Sequence, residues 1–351
     1  MTTEKPPYLL FSDVHFHNWK SFSSINANGI NSRLQIQLDE LGRAYSELRS
    51  VGGNLAVCAG DLFHVRGKLA PSVTNPVKEF FEAQGDLGTE TVILSGNHDL
   101  ESNDADPLTS AVSVIASEKT AAINSVTIVR ESPTIIMVPW HSDIGELRKG
   151  IKMLSDENVE GADLIIHAPL NGVLINIPNV GLNASEFEGM NFKRVFAGHY
   201  HNHKRLSDNV WSVGATTHQT WNDVNTQAGF CLVYDEEVKF IATKAPRFVP
   251  IGVGADEDEC MEVEGNFVRA DIIDPTPETM ARLRDHMKIT HGAASVSIRT
   301  MVGEKKSTRA DGETVSSVDN LKTSIHKFAE KHHNKAVSEE CGSILEEATS
   351  E

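Results

Sequence analysis

Through the first 245 residues the chain repeats one pattern: a short apolar run closed by polar or histidine-bearing residues, then a connection that often has helical spacing. The runs are Tyr8–Phe11, Leu55–Ala59, Thr91–Leu94, Thr134–Val138, Leu164–Ile166 and Arg194–Ala197. Bounded by turn residues, they predict strands buried on both faces. Between them, Arg33–Arg49 carries apolar residues at Leu34, Ile36, Leu38, Leu41, Tyr45 and Leu48, a spacing compatible with an amphipathic helix. Pro76–Ala83 and Pro107–Ala116 predict two more helices, the second with proline in its first turn. Strands alternating with helices imply an α/β sheet with helices packed outside.

After Lys193 the pattern changes. Trp211–Gly214, Gly229–Tyr234 and Val238–Thr243 are strand-like runs with little room for helices between them, so a second sheet facing the first is expected. Around Ala245-Pro246-Arg247 a new unit begins: strand-like Phe267–Ile273, a helix opening at Pro275-Thr276-Pro277-Glu278 and running to about Met287, and strand-like Ala294–Arg299. The expected organisation is an α/β two-sheet sandwich over 1–246, a small β-α-β module over 247–304, a polar linker over 305–317 and a helical tail over 318–351. The tail has a sparse apolar stripe, Leu321, Ile325, Phe328, Ala336 and Leu345, suited to docking on a partner or packing on its own domain.

Composition bounds the function. With 40% hydrophobic and 23% charged residues, the 351-residue chain is that of a folded globular protein. A formal charge of -17 argues against a surface that holds nucleic acid everywhere through basic residues, although a local cationic site stays open. The four cysteines, Cys58, Cys231, Cys260 and Cys341, form no CxxC pair, so neither a zinc ribbon nor a disulfide framework is suggested and a reduced compartment fits. The apolar stretch Tyr8–Phe11 is too short for a signal-peptide core or a membrane span, which makes the expected location cytoplasmic with no membrane partner.

The placement of the 15 histidines matters more than the net charge, because five of them stand at the ends of the expected strands. Asp13-Val14-His15 follows the first, Gly60-Asp61 the second, Gly96-Asn97-His98-Asp99 the third; His167 and Gly198-His199-Tyr200-His201 follow later ones. In open α/β sheets functional groups collect beyond the carboxyl ends of the strands, so these five segments should converge. The physical reading is a centre for two divalent ions. Nitrogen and oxygen ligands without thiolate suit manganese, iron or zinc rather than calcium. Two carboxylates, Asp13 and Asp61, do not neutralise two divalent ions, so the loaded centre attracts phosphate even on an acidic protein. Asp61 is the candidate bridge between the ions.

On these segments the chain resembles the calcineurin-like metallophosphoesterases, whose signature D-x-H, G-D, G-N-H-(D/E), H and G-H-x-H is present in order over about residues 8 to 245. Within that superfamily it looks most like the SbcD nucleases, relatives of the eukaryotic meiotic recombination eleven nuclease. Gly60-Asp61-Leu62-Phe63-His64, Trp211-Ser212-Val213-Gly214 and Ala228-Gly229-Phe230 resemble further family motifs, and the β-α-β module resembles its DNA-capping domain. The resemblance implies Asp13, His15, Asp61 and His201 on one metal, and Asp61, Asn97, His167 and His199 on the other, with manganese as the ion. His98 would contact the phosphate and assist the leaving oxygen, with Asp99 orienting its ring. His64 would orient the substrate phosphate; its other reading is a histidine at a helix start.

The resemblance further implies a DNA exonuclease and endonuclease that works in repair and recombination, as a homodimer, with an SbcC-like ABC-type coiled-coil ATPase docked on the C-terminal helical segment. The dimer contact is expected near Pro76–Ala83 and Pro107–Ala116. Two other classes stay open: a small-molecule phosphodiesterase or phosphatase of the same superfamily, and a non-catalytic binding subunit, which the intact ligands and His98 argue against. The sequence also departs from the family where Phe16-His17-Asn18-Trp19 replaces a small Leu-Gly, making the loop after D-x-H bulkier. The surplus His17 and His203 are expected at solvated or phosphate-side positions; Trp140 and Trp221 could stack on a base, but aromatics at strand ends are more often core.

Overall fold

The computed structural model describes residues 5–102, 110–131, 133–156, 161–175, 180–252 and 261–301. The expected linker and helical tail lie outside the described residues. The first sheet contains β1 (Tyr8–Phe11), β2 (Leu55–Cys58), β3 (Glu90–Leu94), β4 (Thr120–Ile123), β11 (Gly229–Val233) and β12 (Val238–Ala242), in the order β12-β11-β1-β2-β3-β4. Its four N-terminal strands are parallel and its two late ones antiparallel. The second sheet contains β5 (Thr127–Glu131), β6 (Thr134–Val138), β7 (Ala162–His167), β8 (Phe192–Gly198), β9 (Lys204–Arg205) and β10 (Val210–Ser212), in the order β5-β6-β7-β8-β10-β9. Here β6, β7, β8 and β10 run parallel.

The chain therefore changes sheets between β4 and β5, earlier than the change of pattern after Lys193 suggests. Strands of both sheets read alike because each sheet is covered twice. Along β1, Tyr8 and Leu10 face the second sheet's Ile135, Met137, Ile165 and Phe196, while Leu9 and Phe11 pack under helices. The outer face of the first sheet is covered by α1 (Ser32–Ser50) and α2 (Pro71–Asp86). The side chain of Asn31 caps α1 by accepting from the N–H groups of Arg33 and Leu34, and Leu34, Leu38, Leu41, Tyr45 and Leu48 form its buried stripe. Helix α2 begins five residues before Pro76, because Pro71 supplies a preset φ where no N–H is needed; Pro76 then sits inside it.

Of the helix expected over Pro107–Ala116, the described part is a 3-10 turn, Ala111–Ile115, capped by the Ser110 hydroxyl. The outer face of the second sheet is covered by α3 (Ile144–Asp156), a helix the sequence reading passed over, whose Leu147 and Ile151 join Ile136, Leu164 and Val195.

By proximity the chain divides into two compact units. One takes the residues up to Ala270 with Leu283–Ser297 and holds every candidate ligand; the other includes Asp271–Arg282. The three-stranded sheet β13 (Phe248–Ile251), β14 (Phe267–Ile273) and β15 (Ser295–Met301) agrees with the expected module in its last two strands and adds a first one, parallel to β14. Val249, Ile251, Val268, Met287 and Val296 form its core in the first unit. The expected helix is α4 (Pro277–Asp285), continued by a π-helical turn over His286–Thr290. No helix among the described residues is long and apolar enough to cross a membrane.

Candidate metal centre

The loops leaving β1, β2, β3, β7 and β8 meet, and their backbones are held in an unusual way. Asp13, His15 and Asp61 take left-handed φ values of 50°, 50° and 53°, and His199 takes 109°. Such conformations cost a non-glycine residue about 1 kcal/mol or more and persist where the surroundings fix them. The surroundings are hydrogen bonds between loops. Asp13 N–H donates to the Gly60 carbonyl at 3.0 Å, His15 N–H to the Asp61 carbonyl at 3.1 Å, and His98 N–H to Asp61 Oδ1 at 2.8 Å. Glycine is required at Gly96, where an added Cβ would collide with the Asp61 side chain and backbone.

The ligand atoms of Asp13, His15 and His201 lie within 4.8 Å of one another, and so do those of Asp61, His167 and His199. Asp61 stands between the groups: its Oδ2 is 3.5 Å from His15 Nε2 and 3.4 Å from His167 Nε2. Asn97 completes the second group, its Oδ1 lying 3.1 Å from His167 Nε2 and 3.0 Å from His199 Nδ1. All seven residues expected to bind metal are thus brought together.

The donor set fits divalent cations for a reason visible in the hydrogen bonds. His167 Nδ1–H donates to the Ala59 carbonyl at 2.7 Å, so its other nitrogen, Nε2, is the one turned toward two oxygens; against burial, the Asp61 carboxylate raises this ring to about 9 and keeps a proton there that a bound cation would replace. His201 Nδ1–H donates to Asp223 Oδ1 at 2.7 Å, so its Nε2 lone pair faces His15 Nε2 at 3.3 Å. Carboxylate and amide oxygens converging with ring nitrogens in a buried place call for positive charge between them, which a divalent cation can supply in place of a ring proton. Burial pushes the His15 ring well below its ordinary pKa and His199 to about 3, which leaves both neutral and free to ligate. Burial works against an ionised Asp61, yet the His167 and His15 rings hold its carboxyl far below the usual range. Two carboxylates, an amide oxygen and imidazole nitrogens arranged in two groups are a donor set suited to two divalent cations.

His98 and His64 flank this centre, their rings stacked at 5.5 Å and 16°. The His98 ring is oriented by the His64 carbonyl, to which Nδ1–H donates at 2.7 Å. This corrects the role expected for Asp99. Its carboxylate instead accepts from the N–H groups of Gly96, Leu62 and Phe63 at 2.9, 3.2 and 2.9 Å, because it is buried beneath the loops and ties them together. His64 does not start a helix; α2 begins at Pro71, and the His64 ring packs on Trp19 at 4.4 Å and on His17 at 5.2 Å.

His203 leaves the site and stacks on Phe240 at 4.0 Å, with Nδ1–H donating to the Val213 carbonyl. Trp140 lies against His199 at 5.2 Å, and Trp221 lies under the Arg269 guanidinium at 4.2 Å.

Sequence reasoning passed over Asp223, which fixes the His201 ring. Its segment, Thr220-Trp221-Asn222-Asp223, carries a capping-box pattern, and Asp223 does accept from the Thr220 N–H, so the local motif conceals the remote partner. Gln219 and Gln37 were passed over too. Their amides donate to the Asp13 and Val14 carbonyls, both at 2.6 Å, and hold the first ligand loop from below.

No protein-family model and no curated protein matches the chain by sequence. Among solved structures, it is similar to a dimetal phosphatase from Danio rerio at 12% identity and a TM-score of 0.44, covering 68% of this chain and 99% of that one. It is similar to TT1561 of Thermus thermophilus at 12% identity and a TM-score of 0.40, covering 68% and 98%. A nuclease, MPE, from Pseudomonas putida has 15% identity and a TM-score of 0.31, covering 67% and 87%.

Proposed function

We propose that the chain is a manganese-dependent phosphodiesterase acting on DNA, a calcineurin-like metallophosphoesterase of the SbcD type. The observation that carries this reading is the place of Asp61 Oδ2 between His15 Nε2 and His167 Nε2, where one carboxylate serves two ligand groups. Asp13, His15, Asp61 and His201 would hold one ion, and Asp61, Asn97, His167 and His199 the other. Two bound ions supply Lewis acidity toward phosphoryl oxygens and lower the pKa of water.

The protein's own part is positioning and proton handling. With Nδ1–H given to the His64 carbonyl, His98 has Nε2 left for the substrate and, when protonated, donates it to a phosphoryl or leaving oxygen. His64, stacked against it, orients the phosphate on the same side. The β-α-β module would cap the DNA. The segment Val318–Glu347 would dock a coiled-coil ABC-type ATPase, and the chain would act as a homodimer in DNA repair and recombination.

The test is the purified chain with manganese on an end-labelled DNA duplex and on bis-p-nitrophenyl phosphate in parallel, with Asp61→Ala as control. Wild type is expected to degrade both and the variant neither, and a chelator should abolish turnover. Hydrolysis of the small ester alone would remove DNA as a substrate of the isolated chain. Hydrolysis of neither ester with any divalent ion would overturn the whole reading.

A further inference from the structure

Beyond the expected ligands, one cation is held at the edge of the centre. The loop after β2 brings Arg66 to the β3 loop, where its Nε–H donates to the Asn97 carbonyl at 2.8 Å. Asn97 is the residue whose side chain faces His167 and His199, so the guanidinium is tethered through the backbone of a candidate ligand. The turn behind it runs through Gly67 at φ of 65°, a conformation glycine takes without a Cβ penalty. Arg66 is half-buried, yet its two terminal nitrogens find no protein partner among the described residues.

That vacancy needs a reason. Arg194 and Arg148 each close a fork on a carboxylate, and the chain has 49 acidic residues to offer. The Arg66 fork instead stays unpaired on the carbonyl of Asn97, the residue before His98, while the His98 ring is anchored on the carbonyl of His64, two residues before Arg66. A planar guanidinium with two free N–H₂ groups matches the oxygens of a phosphoryl group, and holding it in place beforehand removes part of the entropic cost of binding.

We propose that Arg66 is a phosphate-binding residue of this site, its terminal nitrogens donating to non-bridging oxygens of the substrate's phosphoryl group. This rests on the phosphoester reading of the metal centre. It gives that centre a preference for anionic phosphoesters over neutral esters, and a binding contribution separate from the ions.

The experiment titrates inorganic phosphate calorimetrically into the manganese-loaded full chain, as wild type, Arg66→Ala, Arg66→Gln and Arg66→Lys. Glutamine can still donate an N–H toward the Asn97 carbonyl but has no charge, so it separates a lost phosphate contact from a collapsed loop. Phosphate affinity should fall about 10- to 100-fold in the alanine and glutamine variants, the size of a charge-assisted hydrogen bond, and less in the lysine variant. Manganese stoichiometry and thermal midpoint should stay at wild-type values, and KM for bis-p-nitrophenyl phosphate should rise more than kcat falls. Equal phosphate affinity in wild type and Arg66→Gln would overturn the assignment while leaving the metal centre intact. Loss of manganese from Arg66→Gln would overturn it too, in favour of a structural role for the tether. A wild type that takes up no manganese would instead refute the metal reading, and this assignment with it.

Discussion

Two buried charged clusters sit at opposite ends of the parallel strands, and they are built to opposite rules. At the amino end, Asp163 Oδ1 accepts from Arg194 Nε at 2.7 Å, and Oδ2 accepts from Arg194 Nη2 at 2.7 Å and from the Tyr8 hydroxyl at 2.8 Å. Arg194 Nη1 donates to the Tyr234 carbonyl at 2.5 Å. Every acceptor there has a donor. At the carboxyl end, Asp61, Asn97, His15, His167 and His201 bring oxygens and ring nitrogens together, and no arginine or lysine closes a fork on Asp61 among the described residues. A cluster closed by its own arginine stabilises one geometry, whereas one of the same burial whose positive charge is a histidine proton can exchange that proton for a cation from outside. The difference separates structure from function without reference to any relative.

The comparison breaks most sharply at Asp61. Asp61→Ala removes the carboxylate common to both ligand groups, so bound manganese and phosphodiesterase turnover should both fall to background, as read by metal analysis and by hydrolysis of bis-p-nitrophenyl phosphate. A variant that keeps two ions per chain would refute the shared role. His98→Ala removes no ligand. Turnover should drop about 100- to 10,000-fold, the usual contribution of a positioned acid or base, with manganese content unchanged. If manganese left with it, His98 would belong to the centre itself.

At the other end, Arg194→Ala leaves the Asp163 carboxylate buried with its main partner gone. Stability in urea should fall by about 3 to 5 kcal/mol, while the folded fraction still takes up manganese. Replacing both members of the pair with apolar residues of similar volume should cost less than the single change, because the penalty lies in the unpaired charge. An Arg194→Ala protein with wild-type stability would show that the pair contributes little and that hydrogen bonds to Tyr8 suffice.

The sequence shows one of these clusters and hides the other. Asp13, His15, Asp61, Asn97, His167, His199 and His201 each follow an apolar run within a few residues, so strand ends and side-chain chemistry together point to one place. Asp163 and Arg194 stand at the beginnings of apolar runs rather than at their ends, and nothing local joins them across 31 residues. Sheet membership was hidden for a related reason: β2 and β7 are both covered on two faces, so their patterns are the same although they belong to different sheets. Helix α3 was passed over because its apolar stripe is carried by few residues, Leu147 and Ile151 among its buried ones. The role expected of Asp99 failed because the ring it was to orient finds a backbone carbonyl, a partner that no side-chain motif announces.

Asp223 gives the smallest and finest test, because it belongs to both kinds of cluster. Its Oδ2 is satisfied by the N–H groups of Gln219 and Thr220, both at 2.8 Å, while its Oδ1 fixes the tautomer of a candidate ligand. Burial would raise its carboxyl, but the His201 ring and those two N–H groups outweigh it and hold the group at about 2, below its ordinary 3.8. A depressed folded-state value means that the stability it contributes is present in full above the ordinary value and lost as pH falls through about 2, so at neutral pH Asp223 is ionised. Asp223→Asn keeps the shape and removes the charge. His201 then no longer has an anion to hold Nδ1–H in place, and its Nε2 becomes a weaker ligand. Manganese affinity should fall about 10- to 100-fold, the usual effect of losing a ligand's hydrogen-bond partner. Raising the manganese concentration should restore turnover to near the wild-type rate, because His98 and the loops that hold it do not depend on Asp223. Turnover that stays low at saturating manganese would place Asp223 in the chemistry rather than behind the ligand.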